Sequence, residues 1–97
     1  MDNIRFLWDE NKNRANQKKH RVSFEEARGI FYDEDALEFF DPDHSEKEDR
    51  FVLIGMSFKL RVLVVCHCYR ESESVIRLIS ARKATAWEES YYERRKP

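Results

Sequence analysis

The 97-residue sequence predicts an α+β domain with a mostly antiparallel β-sheet, packed by N-terminal helices and a C-terminal helix in the order β-α-α-β-β-β-β-α. Three observations predict it. Helix-capping residues stand at Asp9, at Ser23 with Glu26, and at Thr85 with Glu88. The runs Arg50 to Met56, Arg61 to Tyr69 and Val75 to Ala81 are rich in β-branched and aromatic residues. Short links at 57–60 and 70–74 join those runs, as turns join hairpin strands.

The elements follow in order. Residues 3–8 alternate as a first strand, with Ile4, Phe6 and Trp8 on one face. Asp9 then caps a helix over about residues 10–20, because its carboxylate accepts free amide hydrogens of the first turn. That helix has only Ala15 as an apolar residue, so no core-facing stripe holds it down. Lys12, Asn16 and Lys19 share one face, and Asn13, Asn16 and His20 form an overlapping stripe. A helix polar all round is either poorly stable alone or kept for what its side chains do.

Ser23 and Glu26 have capping-box spacing, and Phe24, Ala27, Ile30 and Phe31 give the second helix an apolar face. Ala36 to Phe40 reads as a short strand ended by Asp41-Pro42, and Asp43 to Asp49 as a polar loop. Val62 to Cys66 is apolar on both faces, as a central strand is. The last helix runs from a second capping box at Thr85 and Glu88 to about residue 95, with Trp87 and Tyr91, or Glu88 and Tyr92, four apart on it.

Length and composition place the chain as one domain, residues 1–97. No run approaches the roughly 20 apolar residues of a membrane span, and the N-terminus carries no signal-peptide core. Membrane and secreted classes are excluded on this reading. Cys66 and Cys68 lie too close along one strand for an ordinary bridge, which suits a reducing, cytoplasmic setting.

The net charge of −1 conceals a division. Asp33 to Asp49 holds nine acids against one lysine, whereas Asn11 to Arg21 holds five basic residues and no acid. Arg77 to Trp87 adds Arg77, Arg82 and Lys83, again without an acid. Two basic segments distant in sequence can converge on one anion-binding surface, or remain ordinary solvated faces. The acidic segment reads as a solvated edge.

The chemistry is narrowed by what is missing. Two glycines, Gly29 and Gly55, are too few for a phosphate-cradling loop or a dinucleotide fingerprint. On a strand His67 faces away from Cys66 and Cys68, so these three read as core residues and not as a metal site. No metal or cofactor is expected. What remains is Lys, His, Arg and Tyr, which can cleave RNA through its 2′-hydroxyl. One group removes that proton, another protonates the leaving 5′-oxygen, and cations hold the charged transition state.

Three blocks carry a family resemblance. The first is Phe6-x-Trp8-Asp9-x-x-Lys12-x-x-x-Asn16-x-x-Lys19-His20-x-Val22-Ser23-Phe24-Glu25-Glu26-Ala27. The second is Asp41-Pro42-x-His44-Ser45-x-x-Glu48-x-Arg50, and the third Arg77-x-Ile79-Ser80-Ala81-Arg82-Lys83-Ala84-Thr85-x-x-Glu88-x-x-x-Tyr92. Together they resemble the BrnT family of type II toxin–antitoxin toxins. The resemblance implies a RelE-like fold and a growth-inhibiting ribonuclease. It also implies neutralisation by a BrnA-type antitoxin with a ribbon-helix-helix DNA-binding region, and promoter DNA bound only through the toxin–antitoxin complex. Departures are Arg21 and the 57–60 link, where relatives often carry glycine, and Trp87 with Tyr91-Tyr92 in place of a more basic run.

Residues and resemblance together nominate Lys19, His20, Arg77, Arg82 and Tyr92 as catalytic, and Lys12, Asn16, Arg50 and Lys83 as RNA-binding. Bland roles stand beside these: Asn16 bridging backbone groups, His20 capping its helix, Trp8 in the core, and Arg77 pairing with an acid such as Glu88. A regular fifth strand through residue 82 would point Arg77 and Arg82 to opposite faces, so a shared site requires a bend or an end near Ser80. The competing function is a non-catalytic module whose divided charge docks a partner protein.

Overall fold

The structure is a computed structural model that describes residues 4–71 and 73–96. The expected strand start at Asn3 and the turn residue Ser72 lie outside the described residues. The elements are β1 (Arg5–Leu7), α1 (Glu10–His20), α2 (Phe24–Gly29), β2 (Leu37–Phe40), β3 (Arg50–Met56), β4 (Val62–Arg70), β5 (Val75–Lys83) and α3 (Ala86–Arg95). Single 3₁₀ turns at Ile30–Tyr32 and Pro42–His44 flank β2.

The strands form one sheet in the order β1-β5-β4-β3-β2. The two-sided apolar run becomes the central strand β4. Only β1 runs parallel to its neighbour, β5, because α1 and α2 follow it and β5 arrives from the far side of the sheet.

The two faces differ in cover. On one, Val22, Phe24, Ala27 and Ile30 from the α1–α2 region pack on Leu63, Val65, Ile76 and Leu78. On the other, α3 covers one end by seating Tyr92 on Ile54, Val62 and Val64. Burying such side chains stabilises a fold by about 1.5–3 kcal/mol each. The remainder of that second face stays open.

Helix α1 has no apolar stripe, and its anchors are amides. Asn13 Oδ1 accepts from the Phe24 amide at 2.9 Å, and Asn16 is buried against Val22 and Ala81. Asp9 caps the helix as expected, accepting from the Asn11 and Lys12 amides. Its end at Arg21 turns left-handed, with φ at 60°, a conformation glycine adopts with less strain. Leu60 in the β3–β4 turn is left-handed too, at 61°.

One capping box forms in full and one does not. Thr85 and Glu88 satisfy each other's amides. Ser23 accepts from the Glu26 amide, but the Glu26 carboxylate is committed elsewhere: fully buried, it takes hydrogen bonds from Arg61 and from Ser57 Oγ at 2.6 Å. Burial would raise its pKa, yet Arg61 and Ser57 hold it below the usual carboxylate value.

The acidic stretch is also more than a solvated edge. Asp33 accepts from the Met56 amide and the Tyr92 hydroxyl, and Glu38 accepts from His67 Nε2 at 2.8 Å. These three bonds tie acidic residues to the sheet, so part of the charge segregation is structural.

Candidate active cleft

The geometry of the cleft begins with one extra residue in β5. Pairing steps from Cys66 opposite Ser80 to His67 opposite Leu78, which leaves Ile79 without a partner. Such a bulge shifts the alternation of every residue beyond it. Arg77 lies opposite Cys68 and Arg82 opposite Val64, positions an even number apart on β4. Both arginines therefore project from the open face, although their spacing in a regular strand would separate them.

Cross-strand rows on that face define the floor. Arg50, Cys68 and Arg77 form one row, Phe39, Val52, Cys66 and Ser80 the next, and Leu37, Ile54, Val64 and Arg82 the third. The second row is a shallow floor, and Arg50 and Arg82 stand along it from opposite sides. His44 and Asp41, from the β2–β3 loop, complete the concavity. His44 Nδ1 lies 2.9 Å from Asp41 Oδ2. A carboxylate on Nδ1 selects the tautomer whose Nε2 accepts protons. His44 was not singled out from the sequence as a site residue, although the spacing Asp41-Pro42-x-His44 contains the pair.

Arg82 and Glu88 join the cleft to α3. The guanidinium binds both carboxylate oxygens, at 2.8 and 2.9 Å. Those bonds, with the Thr85 amide, bring the Glu88 pKa down to about 2. Arg82, and not Arg77, is thus the partner of Glu88. A depressed carboxylate stabilises the fold above its unfolded pKa, and that contribution fades as pH falls towards the folded value. Acid titration followed by circular dichroism is therefore expected to show stability lost between pH 4.5 and about 2, with the slope reduced in Glu88→Gln.

Arg77 pairs instead with Glu48, at 2.7 Å, and Glu48 also meets Arg70 at 3.4 Å and Arg50 at 3.8 Å. Burial would raise the Glu48 pKa, but Arg77 above all holds it below the usual value. Three guanidinium groups share one carboxylate, so cationic charge remains in excess. The Nε atoms of Arg50 and Arg77 are buried with no hydrogen-bond partner among the described residues.

The α1 cations lie just across the bulge. Lys12, Lys19 and His20 line a second depression together with Ile79 and Ser80, and these same two residues border the arginine cleft. The two basic segments of the sequence thus meet at one ridge. Asn16 lies beneath, where its amide bonds the backbone of Val22 and Ala81.

Two nominated residues are not brought into the cleft. Tyr92 is 1% exposed and donates its hydroxyl to Asp33 Oδ2 at 2.6 Å. Burial first, and the Asp33 bond second, push its pKa upward, so it is a core residue and poorly placed for proton transfer. Lys83 pairs with Leu63 and so projects from the opposite face to Arg82. Cys66 and Cys68 are free thiols, and burial pushes the Cys66 thiol up. Among the described residues no group of three or more His, Cys, Asp or Glu side chains converges as metal ligands would, and no helix is long and apolar enough to cross a membrane.

A half-covered, mostly antiparallel sheet with arginines on its open face, His44 in the adjoining loop and the α1 cations across the bulge defines a small α+β protein with a cationic cleft. The sequence profile described as "Ribonuclease toxin, BrnT, of type II toxin-antitoxin system" matches residues 8–88, and the chain belongs to this family of ribonuclease toxins. Among solved structures it is similar to the Brucella abortus ribonuclease toxin, BrnT, at 27% identity and a TM-score of 0.64. That match covers 84% of this chain and 97% of the Brucella chain. A comparison with curated proteins finds no match.

Proposed function

We propose that the protein is a metal-independent endoribonuclease toxin whose RNA backbone lies along the open sheet face between α3 and the 41–49 loop. The observation that carries this reading is the meeting of α1, β3 and β5 cations at the Ile79–Ser80 ridge. Arg82 and Arg50 hold the scissile phosphate and the charge that develops on it. Arg77 acts from behind, holding Glu48 and, through it, the position of Arg50.

His44 and His20 stand on either side of the ridge as the proton-transfer groups. One takes the 2′-hydroxyl proton as the 2′-oxygen attacks phosphorus, and the other protonates the departing 5′-oxygen as its bond to phosphorus breaks. Lys12 and Lys19 bind flanking phosphates. Asn16 supports this surface from below, and Tyr92 and Lys83 have no part in the chemistry.

The same reading assigns a RelE-like fold, inhibition of translation through RNA loss, and action in the cytoplasm. Its partner is a BrnA-type antitoxin with a ribbon-helix-helix region, which brings the complex to promoter DNA. The antitoxin covers the open cationic face.

Induced expression tests the reading. Growth arrest is expected, with RNA fragments ending in 2′,3′-cyclic or 3′-phosphate, and purified protein is expected to cleave equally well in EDTA. Undamaged RNA and normal growth would overturn it. Loss of cleavage in EDTA would overturn only the metal independence.

A further inference from the structure

The first turns of α3 carry aromatic surface that neither the core nor the proposed chemistry uses. Trp87 is 66% exposed, and its ring lies on Tyr91 with centroids 5.4 Å apart and planes 14° from parallel. Tyr91 in turn meets Phe39 at 6.0 Å. Phe39 begins the cross-strand row that continues through Val52 and Cys66 to Ser80, the floor of the cleft. The buried stripe of α3, Glu88 and Tyr92, is fixed on Arg82 and on the core respectively. These contacts put the Trp87–Tyr91 stripe on the flank of α3 that borders the cleft.

We propose that the Trp87–Tyr91 stack is a platform for one unpaired nucleobase of the RNA in the cleft. This rests on the cleft being an RNA site. The platform has the width of a single ring system, and the indole's outer face meets no aromatic or cationic partner among the described residues. Arg95 lies over Tyr91 at 4.7 Å and Arg82 is bonded to Glu88, the residue after Trp87, so cations stand at both ends, as an RNA backbone requires. Aromatic side chains beside a cationic groove bind single strands by stacking, independently of base identity. The platform would therefore require unpaired RNA and exclude a continuous duplex.

The test uses a short, fully 2′-O-methylated single-stranded RNA, which binds without being cut, and the same backbone with abasic sugars. Wild type is expected to bind the RNA with quenching of tryptophan fluorescence that is absent in Trp87→Phe. Trp87→Ala is expected to weaken binding by about 5- to 100-fold while Trp87→Phe stays within a few-fold of wild type. The abasic strand should bind wild type and Trp87→Ala alike. Equal RNA affinity in wild type and Trp87→Ala overturns the platform and leaves the cleft reading intact. Failure of wild type to bind RNA overturns both. Normal RNA binding by Trp87→Ala, with loss of neutralisation by the antitoxin, overturns the platform and makes the stack a protein contact.

Discussion

Arg82→Ala is expected to lower kcat/KM for RNA cleavage by about 10²- to 10³-fold, the cost of removing one preorganised group that stabilises developing charge. Arg82 is the guanidinium that borders the floor row and is also fixed in orientation, by two bonds to Glu88. A fixed fork loses little entropy on meeting a phosphate, and its outer edge stays open to the cleft, since the side chain is 42% exposed. Arg82→Lys keeps the charge and loses the fork, so most of the defect should persist. The ion pair also supports the α3 N-terminus, so a fall in activity alone does not separate chemistry from folding. Glu88→Gln separates them. It weakens the pair and leaves the cation in place, so it should lower the urea midpoint while cleavage is retained. Arg82→Ala protein with a wild-type rate would remove Arg82 from the site and leave Arg50 as the principal phosphate group.

Much of this fold is written locally. Asp9, Ser23 and Thr85 mark helix starts because a capping bond spans only two or three residues. The central position of β4 follows from a run apolar on both faces. The features that build the cleft are not local. Nothing in Val75 to Lys83 announces the bulge at Ile79, because a bulge is a property of pairing with β4. The pairing of Arg82 with Glu88, and of Arg77 with Glu48, follows from that same shift. Helix α3 offers two stripes, Trp87 with Tyr91 and Glu88 with Tyr92, and hydrophobicity alone favours burying the first. The Arg82 bond to Glu88 and the Asp33 bond to Tyr92 choose the second for burial. The polar helix α1 was legible as an anomaly, and its cations line a depression that shares Ile79 and Ser80 with the cleft. Asn16 as a bridge between backbone groups was legible as one alternative, but not which groups it holds, because its partner Ala81 lies 65 residues away.

That attachment sets the second large effect: Asn16→Ala is expected to destabilise the fold by about 3–5 kcal/mol. The Asn16 amide donates to the carbonyls of Val22 and Ala81, at 2.9 and 2.8 Å, and accepts from the Ala81 amide at 3.1 Å. Strand β1 pairs with β5 only as far as Arg77, so beyond it this one side chain serves the β5 edge as a neighbouring strand would. Alanine leaves three buried backbone groups without partners, each costing about 1–3 kcal/mol, with partial relaxation reducing the sum. Against a total stability of about 5–15 kcal/mol, the loss should lower Tm by roughly 15–30 °C in a chain this size. Asn16→Asp should be as damaging, because it keeps the acceptor for Ala81 but sets a carboxylate against two carbonyl oxygens. Lys12→Ala and Lys19→Ala, on exposed positions of the same helix, should change stability by less than about 0.5 kcal/mol while weakening RNA binding and its salt dependence. Urea denaturation beside RNA affinity reads both. Asn16→Ala protein with a wild-type midpoint and weakened RNA binding would make Asn16 a contact residue, and α1 would need another anchor.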